Sequence, residues 1–169
     1  MLVFKLVVAI LIVSVCTLIG IRKAQRYESR EYILREAIML FKGLKNEINY
    51  TLTPIPNAIE SVRQNMKTPL RDVMGAVSFE LLQYNVSSEA ITNEIAKLSE
   101  LTDYDRQVIS NGVMTLGKTD VDGQIGVISM TCDTLENQLT DSIESKKKNS
   151  KLYKTVGIAT GLMLAIVFI

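Results

Sequence analysis

Apolar positions along the chain follow three regimes. From Leu6 to Ile21 there is no charge, and Lys5 is the only charged residue before Arg22. The middle is mixed, and Val156 to Ile169 is again an uncharged run. Within the middle, Ile33/Leu34, Ala37/Ile38, Leu40/Phe41, Leu44, Ile48 and Leu52 recur at three- and four-residue steps, the spacing of one helix face. A second series, Val121, Ile125, Ile128, Cys132, Leu135, Leu139 and Ile143, alternates such steps as a coiled-coil seam does. These patterns predict a long helix from the amino-terminal run to about Thr51, and a second one leading into the carboxy-terminal run. Paired antiparallel, the two would form a stalk.

Shorter helices fill the space between. Thr53-Pro54 and Thr68-Pro69 place a hydroxyl cap before proline at a first helical position. Ser87 or Ser88 suits the cap of the helix carrying Ile91, Ile95 and Leu98. Thr102 with Asp105, and Thr119 with Asp122, resemble capping boxes with aspartate in the glutamate position. Gly117 fits a left-handed helix stop, and Asn111-Gly112 lies inside helical periodicity rather than at a hairpin. No alternating run of strand length occurs. The expected fold is all-α: a membrane-anchored bundle of about six helices, two of them long.

The expected organisation is an anchor over residues 1–21, a cytoplasmic bundle over 22–154, and a hydrophobic tail over 155–169 that spans or re-enters the bilayer. Leu2 to Ile21 as a helix measures roughly 30 Å, the thickness of a bilayer core. A cleaved leader would have a more basic start and a small-residue cleavage site. The tail, about 21 Å from Val156, is short for a full crossing. Its Gly157-x-x-x-Gly161 spacing permits close helix approach, although a generic membrane helix carries such a pair too.

Charge sets the orientation. Arg22, Lys23, Arg26 and Arg30 follow the first run, and Lys146, Lys147, Lys148, Lys151 and Lys154 precede the second. Short basic flanks stay in the cytoplasm, so the middle is expected inside and both tips outside. Residues 31–145 hold nine bases against seventeen acids, a net charge of −8. Basic collars favour anionic lipid, whereas an acidic middle is unsuited to nucleic acid, whose phosphates demand basic contacts.

Chemistry at a catalytic or metal site finds few parts here. The chain has no histidine, and its two cysteines, Cys16 and Cys132, lack metal-ligand spacing. There is no phosphate-binding glycine loop. The acid pairs Asp103/Asp105 and Asp120/Asp122 sit at expected helix starts, where the dipole favours them. We expect no enzyme, no cofactor and no metal. The tip of the first long helix stands out instead. Glu47 and Tyr50 lead into a turn stiffened by Pro54 and Pro56, either a partner-docking surface or a plain helix corner.

Those features in order resemble the stage III sporulation protein AB (SpoIIIAB) family along nearly the whole chain. The residues that carry the likeness are the anchor with its basic flank, Leu34-Arg35, Leu44-x-x-Glu47-Ile48-x-Tyr50 and Thr53-Pro54. Leu116-Gly117 with Gln124 follows, then Lys151-Leu152-Tyr153 running into Gly157. Pro-Ile-Pro and the acidic middle depart from the family pattern. The resemblance implies a subunit of the spoIIIA-encoded, secretion-like complex in the mother-cell membrane around the forespore. It implies a bundle similar to a domain of GspF of type II secretion, and partnership with the cytoplasmic ATPase SpoIIIAA and other complex subunits. The membrane and a second copy of the chain (a homo-oligomer) are the remaining partners to expect. The resemblance also implies a structural adaptor and no catalytic residue. A membrane-bound signal-transducing helical module is the alternative.

Overall fold

The computed structural model describes residues 2–51, 53–83 and 87–168, with the side chains of residues 2–7, 9, 12, 154, 162, 165, 167 and 168 outside that description. Among the described residues there are six α-helices and no strand. They are α1 (Leu2–Asn46), α2 (Ile55–Arg63), α3 (Leu70–Leu81), α4 (Ser88–Ala96), α5 (Asp103–Thr115) and α6 (Val121–Phe168). The two long helices and four short ones agree with the periodicity. The expected end of the first helix near Thr51 holds as well, because α1 continues into a π-helical turn over Glu47–Thr51. The Thr51 hydroxyl donates back to the Glu47 carbonyl, a bond that competes with the regular helix ladder.

The chain divides into two compact units, residues 30–140 and residues 1–29 with 141–169. In the first unit the anticipated stripe is buried without exception from Ile33 to Ile48, and Leu34, Ala37, Leu40, Phe41 and Leu44 are wholly enclosed. Leu52, the last member of that series, lies outside the described residues. Ile128, Cys132 and Leu135 of α6 join the same core, together with Ile59, Leu70, Met74, Ile91, Ile95 and Ile109 of the short helices. Gly112 lies within α5, where a β-carbon would stand 2.7 Å from the Phe41 ring.

Local signals placed the short helices with two exceptions. Ser87 accepts from the Glu89 and Ala90 amides, and Thr102 with Asp105 forms the complete reciprocal box. Gly117 takes φ +79°, where a β-carbon is strained. Thr53 is not the cap it promised to be, whereas the Thr68 hydroxyl still accepts from the Leu70 amide at 3.3 Å. Pro54 and Pro69 themselves occupy the cap positions of α2 and α3. The start of α3 is also held from a distance: the Glu36 carboxylate accepts from Lys67 N (2.7 Å), Thr68 N (3.1 Å) and Thr68 Oγ1 (2.6 Å). At α6 the first-turn acceptor is Asp120, whose Oδ1 takes the Gly123 amide at 3.0 Å, rather than Thr119.

In the second unit two antiparallel stretches of α1 and α6 meet through their smallest residues. A β-carbon at Gly20 would lie 2.6 Å from the Tyr153 carbonyl oxygen, and one at Gly157 would lie 3.0 Å from that of Cys16. A β-carbon at Gly161 would touch Val13 Cα at 3.1 Å and Cys16 Cβ at 3.2 Å. Large apolar side chains stay on the outside: Ile10, Leu11, Leu18, Ile158, Met163 and Ile166 are all exposed. Among the described residues no helix is long and apolar enough to cross a membrane. The expected spans over 1–21 and 155–169 fall partly on side chains outside the description, including Lys5 and much of the tail.

Candidate functional site

The tip at the carboxy-terminal end of α1 is built around one carboxylate. Glu47 Oε2 accepts from the hydroxyls of Thr51 (3.0 Å) and Thr53 (3.2 Å), and Oε1 accepts from Ser61 of α2 (3.2 Å). Hydrogen bonds from Thr51 and then Ser61 hold the Glu47 carboxyl below its ordinary range, against the opposing effect of burial. Hydroxyl donors stabilise the ionised form without neutralising it, so the tip keeps its negative charge. Tyr50 is 80% exposed beside it, and Pro54 is exposed at the start of α2. Pro56 is half-buried, and its carbonyl accepts from the enclosed Ser78 hydroxyl at 2.8 Å, which fastens α2 to α3. Glu47, Tyr50 and Pro54 therefore share an accessible corner, while Pro56 braces it from behind. A cleft of ≈ 400 Å³ lies elsewhere, between α4 and α5. One of ≈ 330 Å³ opens beside the tip, lined by Met39, Asn46, Glu47, Ser61 and Met66.

Replacing Thr51 with valine is expected to raise the Glu47 titration midpoint toward the ordinary glutamate value, because the strongest donor to its ionised form is gone. The sign follows from linkage: a depressed carboxyl pKa contributes stability above the unfolded value and loses it as pH falls through the folded one. Carbon-detected NMR titration of the Glu47 carboxyl reads this directly.

The basic residues of the collar divide by environment. Arg22, Lys23, Arg26, Lys147, Lys148 and Lys151 are exposed. Lys146 approaches Glu28 at 3.6 Å, and the Lys154 side chain lies outside the described residues. Lys23 Nζ sits 5.1 Å from the centroid of the Tyr153 ring, which stacks on Tyr27 at 5.9 Å and 20°. Burial first, then hydrogen bonding to Tyr153, raises the Tyr27 phenol above its usual range.

Arg30 does not belong with these residues. Its Nε donates to Asp105 Oδ2 at 2.7 Å, and its Nη2 donates to Asp105 Oδ1 at 3.0 Å and to Gln138 Oε1 at 3.3 Å. Asp105 is fully enclosed, so Arg30 is a structural cation of the bundle, linking α1, α5 and α6. Its place directly after the basic cluster disguised it, and the partner 75 residues away gave no local sign. Cys132 is buried, and loss of solvent pushes its thiol above the usual range, which leaves it unsuited to attack as a thiolate. Among the described residues no cluster of three metal-ligating side chains occurs.

Residues 5–169 match the model of the stage III sporulation protein AB family. The chain belongs to that family. The stage III sporulation protein AB of Bacillus subtilis (strain 168) is 26% identical over 166 residues, covering 96% of this chain and 97% of the relative. A solved structure of a stage III sporulation protein AB (SpoIIIAB) matches with a TM-score of 0.62, over 71% of this chain and 98% of its own, at 21% identity. That likeness speaks for the all-helical fold.

Proposed function

We propose that this member of the stage III sporulation protein AB family is a non-catalytic membrane platform. In this reading it links a cytoplasmic ATPase, of the SpoIIIAA kind, to a secretion-like channel assembly that forespore development requires. The observation that carries the reading is the inverted polarity of the apolar helical ends. Glycines meet inside, at backbone distance, while isoleucine, leucine and methionine face outward. In water such an arrangement exposes apolar surface at a cost of about 25 cal/mol per Å². In lipid that cost vanishes, and small residues allow the backbone contact that drives helix association.

The collar supports the orientation, since Arg22, Lys23 and Arg26 and the lysines from Lys146 onward flank the apolar ends on one side. The bundle then lies in the cytoplasm of the mother cell, with a GspF-like role. Its acidic balance and the corner formed by Glu47, Tyr50 and Pro54 suit a basic surface on the ATPase. Such complementarity steers encounter and weakens with salt.

Full-length protein in lipid nanodiscs is expected to retain the purified ATPase at low ionic strength and to release it progressively as salt rises. Glu47→Lys combined with Tyr50→Ala should abolish retention without altering the far-ultraviolet circular dichroism. Absence of a complex at low salt would contradict the adaptor role.

A further inference from the structure

We propose that Lys23, Tyr27 and Tyr153 form a docking station for the phosphate of anionic phospholipids, a role that rests on the anchored reading above. Two observations converge on it. The first is preorganisation. A free lysine side chain gives up rotamer freedom when it is fixed, yet Lys23 Nζ already lies 5.1 Å from the Tyr153 centroid. The Tyr27–Tyr153 stack supports that ring, and a cation held over an aromatic face keeps its ammonium hydrogens for another acceptor. Part of the ordering needed to bind a phosphate is therefore complete before the lipid arrives.

The second is placement. Lys23 lies about 3 Å, and Tyr27 about 9 Å, beyond Ile21 along the helix. A headgroup layer about 5–7 Å deep begins where the apolar core ends, so the station straddles it. Tyrosine favours that depth. The field there is positive, because residues 22–29 and 141–154 carry eight bases against the acids Glu28, Asp141 and Glu144. Glu28 is engaged by Lys146, and Glu144 and Asp141 precede Tyr153 by about 14 and 18 Å of helix. An acidic protein segment would have to reach this depth through the headgroups, whereas a lipid phosphate already occupies it.

The test uses full-length protein in phosphatidylcholine vesicles with trace spin-labelled phosphatidylglycerol or phosphatidylcholine, read as the motionally restricted fraction in electron paramagnetic resonance. The expected preference for phosphatidylglycerol at low salt is about fivefold per engaged cation, since each juxtamembrane base contributes about 1 kcal/mol. Lys23→Gln and Tyr153→Leu should each remove most of that preference, Tyr153→Phe should retain it, and Lys147→Gln should reduce it less than Lys23→Gln does. Equal restriction of both lipids overturns the station while leaving the anchor intact. Restriction of neither overturns both. Loss of the preference on adding millimolar inorganic phosphate assigns the site to a free anion and overturns the lipid. A Lys147→Gln effect as large as that of Lys23→Gln reduces the station to diffuse charge and overturns it too.

Discussion

Replacing Asp105 or Arg30 with alanine is expected to cost about 3–5 kcal/mol of stability, the penalty for leaving half of a buried ion pair without its partner. The carboxylate has no exposure, and the guanidinium side chain is 13% exposed, so water compensates little for either loss. Asp105→Ala removes two roles at once. The Thr102 amide also loses its 2.9 Å acceptor, and with it goes the reciprocal cap of α5. Asp105→Asn keeps an acceptor for that amide but not the charge, and should fall between the two. Exchanging both partners for apolar residues, Arg30→Met with Asp105→Leu, should recover much of the ion-pair part of the loss, because burying two charges offsets much of their attraction, while the cap of α5 stays lost. Denaturant unfolding of the full-length protein in micelles checks the series. A loss under about 1 kcal/mol for Asp105→Ala would be surface-like and inconsistent with the observed enclosure.

The second large effect is expected at Gly157. A leucine there must place carbon where the Cys16 carbonyl oxygen and Gly20 Cα stand 3.0 and 3.2 Å away. Both obstacles are backbone, which cannot rotate aside, so the two apolar helical ends separate. Overpacking of this kind costs about 1–3 kcal/mol, equivalent to a loss of roughly fivefold to 150-fold in the paired state. Gly161→Cys supplies the readout. Its lone β-carbon, 3.1 Å from Val13 Cα and 3.2 Å from the Cys16 β-carbon, asks for far less room than a leucine, and a shift of a few tenths of an ångström brings the two β-carbons to the ~3.5–4.5 Å of a disulfide. Oxidation should therefore produce an intramolecular cross-link in the otherwise native chain. Adding Gly157→Leu should reduce its yield at least about fivefold. Gly126→Leu, whose β-carbon position has nothing within 4 Å, should leave it unchanged.

Much of the bundle was legible because its determinants are local. The α1 stripe from Ile33 to Ile48 reports one buried face at helical period. Thr102-x-x-Asp105 and Gly117 mark helix ends through bonds that span only a few residues. The errors arose where a distant group took over a local duty. Thr68 does accept from the Leu70 amide, but Glu36 on α1 also holds that turn from 32 residues away, a support no local signal announces. Arg30 looked like collar because a charge beside other charges is read as part of their cluster. Only the packing of α1 against α5 shows that its counter-ion is Asp105. At the tip, the sequence pointed to Glu47 and Tyr50, and the structure adds Thr51, Thr53 and Ser61 as the donors that keep Glu47 ionised. Hydroxyls give no such notice in a sequence, since threonine and serine are common on exposed helices. The Gly157-x-x-x-Gly161 spacing was readable as a contact face, but its partners Val13, Cys16 and Gly20 were not.

Thiol accessibility in intact cells measures membrane placement most directly. In a chain carrying Cys16→Ser and Cys132→Ser, a cysteine introduced by Leu2→Cys should react with a membrane-impermeant maleimide from outside. A cysteine introduced by Asn137→Cys, on the exposed side of the bundle, should react only after lysis. Labelling of position 137 in intact cells, or recovery of the unlysed chain in the soluble fraction, would contradict a cytoplasmic platform held in lipid by its paired ends.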